Sequence, residues 1–368
     1  MRQLELFFLK VIRKEKKGPH FALLRFVLWL LSYPYRFGVF LRNFAYDHGW
    51  YSRYSPPIPL VISVGNIVAG GAGKTPVTLL IAEQFYPDTP MAVLSRGYRS
   101  EAEKLSHPVI VSQGKGPTHP ASYTGDEAFL TAERFPQALV VVSKDRKKAA
   151  NTAARMGAKL IVLDDGLQHR KIARDKEVVV LDVNDPYGLG YYLPRGLLRE
   201  GKGALKRADL IILNHASAPE KYAQLKRDIS HLSNAPIVAT RLEVSGVYEY
   251  PSQKQINVKG KKIALFSGIA HPDYFTKTAL GLDCEIIGEL VLADHEAINL
   301  DRLDHFAKEM RALGADLLLC TEKDRVKLPL ELNVALPVAW VKTTLKLVEG
   351  EAAFQTFIAQ SKEALRNF

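Results

Sequence analysis

Leu60-Val61-Ile62-Ser63-Val64 leads through Gly70-Gly71-Ala72-Gly73-Lys74-Thr75 into Pro76-Val77-Thr78-Leu79-Leu80-Ile81-Ala82. An unbroken apolar run is what a strand buried on both faces of a parallel sheet looks like. A glycine turn that ends in Lys-Thr and opens a helix is the arrangement of a phosphate-binding loop. Glycines let backbone N–H groups wrap a phosphate chain, and a helix N-terminus favours negative charge. Lys74 is placed to reach the β- and γ-phosphates, and Thr75 to set its hydroxyl on Mg²⁺. The G-x-x-x-x-G-K-[ST] spacing is not fully met, because Val68 stands at the first glycine position. The turn is therefore a variant built on a Gly-Gly pair.

Outward from this passage, short apolar runs recur at 91–94, 108–111, 138–142, 159–163, 177–181, 209–213 and 236–239. Helical patterns lie between several of them, at 74–85, 126–134, 145–156 and 218–230. Strands alternating with helices predict a parallel α/β sheet of the P-loop type, with its sites at the carboxyl ends of the strands. Residues 242–261 change character and read as a β linker, with a hairpin as the alternative. A smaller α/β unit follows, with strands at 262–266, 284–287, 316–320 and 337–341 and helices at 271–280 and 298–312. Ala353, Phe354, Phe357, Ile358 and Leu365 give the tail helical spacing. The expected division is 1–45 (N-terminal helices), 46–241 (P-loop domain), 242–261 (linker) and 262–368 (smaller domain).

The chain has 368 residues and a formal net charge of +11. The excess is local: residues 1–42 hold nine basic side chains against Glu5 and Glu15. The same segment is apolar, with Phe7-Phe8-Leu9, Phe21-Ala22-Leu23-Leu24 and Phe26-Val27-Leu28-Trp29-Leu30-Leu31. Arg25, Pro34 and Arg36 interrupt the run, so a membrane-spanning helix is not expected. Basic residues beside Trp29, Tyr33, Tyr35 and Phe37 fit a helix lying in a membrane interface; packing on the protein's own core is the alternative. Nucleic acid is not expected as a partner, since the cations are interleaved with Leu and Phe rather than with polar groups. Cys284 and Cys320 are too few for a disulfide framework or a zinc site.

Several polar clusters stand at strand ends. Asp164-Asp165-Gly166 follows Leu160-Ile161-Val162-Leu163, where a P-loop protein keeps its Mg²⁺ ligand. Gly125-Asp126-Glu127 precedes a helical pattern, and helix capping and chemistry are both open readings of it. Gln168-His169-Arg170, Leu198-Arg199-Glu200 and Ser95-Arg96-Gly97-Tyr98 put cations on loops, either for phosphate or simply in solvent. Asp294-His295 and Thr321-Glu322-Lys323-Asp324 are further polar clusters whose spacing alone does not assign a role.

Together these motifs resemble the lipid A 4′-kinases (tetraacyldisaccharide 4′-kinases). Gly65-Asn66-Ile67-Val68-Ala69-Gly70-Gly71-Ala72-Gly73-Lys74-Thr75-Pro76 looks like that family's P-loop. Ser95-Arg96-Gly97-Tyr98, Gly125-Asp126-Glu127, Asp164-Asp165-Gly166-Leu167-Gln168-His169, Leu198-Arg199-Glu200, Asp294-His295 and Thr321-Glu322-Lys323-Asp324 follow in its order, over residues 30–345. The resemblance implies two α/β units joined by a β linker, with a membrane-contacting N-terminal helix. It implies an ATP- and Mg²⁺-dependent enzyme that moves the γ-phosphoryl group to the 4′-hydroxyl of an acylated glucosamine disaccharide 1-phosphate. The expected place is the cytoplasmic face of the bacterial inner membrane, against its lipid surface, with no obligate protein partner. In that family's terms Asp126 is the general base and His295 its partner, with Lys74 aiding catalysis. Gly70, Gly71, Ala72, Gly73, Lys74 and Thr75 hold ATP. Thr75, Asp164, Asp165 and Glu127 lie on the metal side, and Arg96, His169 and Arg199 on the substrate side.

Overall fold

A computed structural model describes residues 2–293 and 296–367; the Asp294-His295 pair of the sequence reading lies outside the described residues. The chain opens with α1 (Arg2–Ile12) and α2 (Pro19–Asp47), then β1 (Leu60–Gly65), α3 (Lys74–Glu83), β2 (Met91–Ser95) and β3 (Val109–Gln113). The short α4 (Ala121–Thr124) leads into α5 (Asp126–Arg134), followed by β4 (Leu139–Val142), α6 (Arg146–Arg155), β5 (Leu160–Asp164) and β6 (Lys176–Asp182). Next come β7 (Leu210–Asn214), α7 (Pro219–Ser230), β8 (Ile237–Tyr250), β9 (Gln255–Ile256), β10 (Lys262–Ser267), α8 (Pro272–Leu280) and β11 (Glu285–Val291). The chain ends in α9 (Leu300–Ala312), β12 (Leu317–Thr321), α10 (Glu322–Arg325), β13 (Val338–Glu349) and α11 (Glu351–Arg366).

Contacts group these elements into two compact units, each drawn from separate stretches of chain. The first takes Met1–Thr78, Val162–Arg241 and Leu347–Phe368; the second takes Leu79–Ile161 and Leu242–Lys346.

In the first unit the strand order is β8, β7, β6, β1, β5. The pairings of β1 with β6, β6 with β7 and β7 with β8 are all parallel. Every residue of β1 and β7 is buried, which is why these runs read as continuous apolar stretches. Ile67, Val68, Leu167, Leu181, Leu198, Leu205 and Leu213 form a core directly under the glycine loop. Phe354, Phe357 and Ile358 of α11 are buried as well, matching the helical spacing of the tail.

Helix α2 is one 29-residue helix, and it continues through Pro34. The proline interrupts the apolar run but not the helix. It lies one turn beyond Leu30, whose carbonyl loses its intrahelical donor there. One flank of α2 is sewn to the first unit. Asn43 donates to Glu200 at 2.8 Å, Tyr35 donates to the Arg199 carbonyl at 3.3 Å, and Arg170 pairs with Asp47. Its other flank stays open: Leu23, Phe26, Leu30, Phe37 and Phe40 are each about half exposed or more.

In the second unit β2 pairs with β4 in parallel, while β3 pairs with β4 antiparallel. The order β11, β10, β12, β13 is also parallel. The residues read as a linker or hairpin contain a hairpin: β8 extends to Tyr250 and turns back onto β9, with Val247 opposite Ile256.

Candidate active site

The turn after β1 takes its shape from two glycines. Gly70 has φ 114° and Gly73 has φ 74°, conformations that side chains rarely adopt. The loop is braced from outside by residues 197–200. Ala69 N–H donates to the Leu197 carbonyl at 2.6 Å, and Arg199 N–H donates to the Ile67 carbonyl at 2.8 Å. From the end of β7, Asn214 donates through Nδ2 to the Ala72 carbonyl at 3.4 Å, and its Oδ1 accepts from Thr240 at 3.3 Å.

The loop delivers Lys74, the first residue of α3. Its ammonium donates to Asn66 Oδ1 at 3.3 Å and lies 3.5 Å from Asp165 Oδ1. Asp165 follows β5 with φ 52°, a strained turn of the kind found at functional sites. Arg199 grips both of its oxygens, at 3.1 and 2.9 Å. Burial pushes the Asp165 pKa up, but Lys74, Arg199 and His169 together outweigh it and hold the carboxyl well below the ordinary range. Next to it, Asp164 is buried and accepts from Thr78 Oγ1 at 3.1 Å. The first unit thus brings together Lys74, Thr75, Asp164, Asp165, His169 and Arg199.

This cluster fits a Mg²⁺-nucleotide. Asn66 Nδ2, at the root of the loop, is fully buried and has no hydrogen-bond partner among the described residues. It is a spare donor beside Lys74. Among the described residues no group of three or more His, Cys, Asp or Glu could hold an ion alone.

Asp126 and Glu127 open α5 in the second unit. Asp126 is the first helical residue rather than the cap, and Gly125, at φ 95°, makes no side-chain cap. The Asp126 carboxylate lies 3.6 Å from Lys327 Nζ. Glu127 lies 3.4 Å from Lys323. A Cβ on Gly125 would lie 3.4 Å from Gly97 Cα, so the Arg96-Gly97 and Gly125-Asp126 turns meet at their glycines. Arg96 pairs with Glu103 at 2.6 Å. His295 lies outside the described residues.

Sequence reasoning missed several members. Lys327 stands alone in an unpatterned stretch. Glu200 looks like a solvated loop charge, yet it is fully buried. It is held by Arg42 at 3.2 Å, Arg207 at 2.9 Å, Asn43 and Gln168. Gln168 also donates to the Asn66 carbonyl at 2.9 Å, tying this buried carboxylate to the phosphate loop.

With this geometry in view, known proteins resemble the chain over nearly its whole length. A family model described as Tetraacyldisaccharide-1-P 4′-kinase matches residues 24–363. A tetraacyldisaccharide 4′-kinase of Anaeromyxobacter sp. (strain K) is 34% identical over 366 residues, covering 95% of both chains. The one from Chlamydia pneumoniae is 36% identical over 320 residues, covering 84% of this chain and 85% of its own. Among solved structures, the Aquifex aeolicus LpxK crystal structure in complex with ATP superposes with a TM-score of 0.73 at 28% identity. It covers 92% of this chain and 99% of that one.

Proposed function

We propose, from the premise that this chain belongs to the tetraacyldisaccharide-1-P 4′-kinase family, how its own residues carry the reaction. The chain is an ATP-dependent kinase that transfers the γ-phosphoryl group to the 4′-hydroxyl of tetraacyldisaccharide 1-phosphate in lipid A synthesis.

Phosphoryl transfer asks for charge neutralisation and in-line positioning more than for covalent chemistry. Gly70, Gly71, Ala72 and Gly73 turn their backbone toward the phosphates, and Lys74 places its charge on the β- and γ-oxygens. Thr75 and Asp164 would hold Mg²⁺, and Asp165 and Glu127 are assigned as further acids for the metal. When bound, the ion screens the charge of the transferred group. Asp165 keeps Lys74 and Arg199 within reach of one another, and Arg199 with His169 and Arg96 faces the phosphorylated substrate. Asp126, with His295, takes the proton of the 4′-hydroxyl, a step typically worth 10²–10⁴-fold.

The observation that carries the reading is Asp165, gripped by Arg199 and within 3.5 Å of Lys74 beside a glycine loop. The test is transfer of labelled γ-phosphate from ATP-Mg²⁺ to tetraacyldisaccharide 1-phosphate in mixed micelles. The native chain transfers; Lys74→Ala loses transfer, and Asp126→Ala falls by about 10²–10⁴-fold. ATP hydrolysis without lipid phosphorylation would overturn the assignment.

The enzyme works at the cytoplasmic face of the inner membrane, on its surface. The open apolar flank of α2 with its basic neighbours supports this. Among the described residues no helix is long and apolar enough to cross a membrane.

A further inference from the structure

We propose that Lys327 is a positioning residue for Asp126, fixed from behind by the buried carboxylate of Asp324. The proposal rests on Asp126 being the base. Lys327 Nζ lies 3.6 Å from Asp126 Oδ2 and 3.0 Å from Asp324 Oδ1. All three side chains are withdrawn from water, with exposures of 7% for Lys327, 11% for Asp126 and 0% for Asp324.

Asp324 is itself immobilised. Its Oδ1 accepts from Gly268 N–H at 3.0 Å, and its Oδ2 accepts from Thr321 Oγ1 at 2.6 Å. Thr321 in turn caps α10 by accepting from Asp324 N–H at 3.1 Å. A carboxylate with no exposure needs a compensating cation, and Lys327 supplies it. The ammonium cannot follow solvent, and its remaining donors point where Asp324 lets them. The same lysine is then a fixed charge facing the start of α5.

Two neighbouring ion pairs join the same elements, Lys323 to Glu127 and Arg325 to Glu133. They differ in one respect. Glu127 and Glu133 are 28% and 39% exposed, against 11% for Asp126. Those pairs hold α5 in place, whereas the Lys327 pair also aims one carboxylate. The assignment makes physical sense of a lysine that lies outside every motif of the sequence, since a misplaced reacting group can cost about 10²-fold in rate.

The test is steady-state kinetics of the full chain in mixed micelles. Lys327→Ala should lower kcat by roughly 10- to 100-fold while KM for ATP and for the disaccharide stays near the native value. Lys327→Arg should restore most of the loss. In an Asp126→Ala background Lys327→Ala should cost nothing more, because residues acting through one group are not additive. Since Lys327→Ala leaves the Asp324 charge buried and alone, the Lys327→Met/Asp324→Asn double variant is measured beside it, with melting to confirm the fold. Equal losses in both backgrounds, or a change in KM alone, would overturn the proposal. Undiminished kcat in Lys327→Ala next to an impaired Asp126→Ala defeats the positioning alone. Full activity in Asp126→Ala defeats the base reading instead.

Discussion

A Cβ added to Gly73 would lie 1.9 Å from Nδ2 of Asn214. The end of β7 therefore presses on the phosphate loop at the residue just before Lys74, and only a glycine leaves room. Gly73 also holds φ 74°, which costs a non-glycine residue about 1–3 kcal/mol. Gly73→Ala should lower affinity for a non-hydrolysable ATP analogue by more than about tenfold, or 1.4 kcal/mol, read by titration calorimetry. Adding Asn214→Ala removes the collision but not the strain, so the double variant should recover part of the loss. No recovery would mean that backbone strain alone sets the effect.

Glu200 gives a prediction about stability. It is fully buried and bound by Arg42, Arg207, Asn43 and Gln168. Removing one member of a buried charge cluster leaves the others uncompensated, at about 3–5 kcal/mol. Glu200→Ala should lose stability on that scale in urea, and α2 should become protease-sensitive, because Arg42 and Asn43 are its links to the loop. Glu200→Gln should lose less, since the amide oxygen still accepts. If the two variants melt alike, the charge that both lack, and not the acceptor that Gln keeps, is what holds α2.

The sequence was most readable where structure is set by local pattern. The P-loop strand and the other buried parallel strands are continuous apolar runs, and the predicted helix at 126–134 has the bounds of α5. It was least readable where partners are distant in the chain. Past Thr240, β8 has mixed exposure, so no clean alternation marks it and linker and hairpin are both open readings. The antiparallel placement of β3 depends on what β4 offers it, not on its own residues. Glu200 and Lys327 are single charges in loops, and only their long-range partners distinguish them from solvated ones. Asp126 had two readings because Asp is common at a helix start, and its neighbour Lys327 lies 201 positions along the chain.

Glu322 supplies a pH dependence. Burial raises its pKa, against the opposing pull of Arg134, Arg325 and Lys342. A raised carboxyl pKa means the folded state prefers the proton. The stabilising contribution is fully present below the unfolded value, about 4.3, and is lost as pH rises through the folded value. Glu322→Gln is neutral at every pH. The variant should melt higher than the native chain at neutral pH, and the difference should shrink as the buffer is taken toward pH 4. A difference that does not change with pH would assign the effect to packing.

The open flank of α2 makes the lipid-surface reading measurable. Leu23, Leu30, Phe37 and Phe40 are 64%, 49%, 60% and 59% exposed. They recur at near-helical spacing on a helix whose other flank is tied down by Asn43, Tyr35 and Asp47. Burying one such side chain is worth about 1.5–3 kcal/mol, and anionic lipids add about 1 kcal/mol for each nearby Lys or Arg. Changing all four to Ser should therefore weaken sedimentation with anionic vesicles by at least about 100-fold, or 2.7 kcal/mol. The phosphate loop lies beyond the tethered flank, so ATP affinity should be unchanged. Raising salt should weaken the native chain's binding only in part, since the apolar share is not screened. Vesicle binding that survives the four substitutions would place the membrane contact elsewhere on the chain.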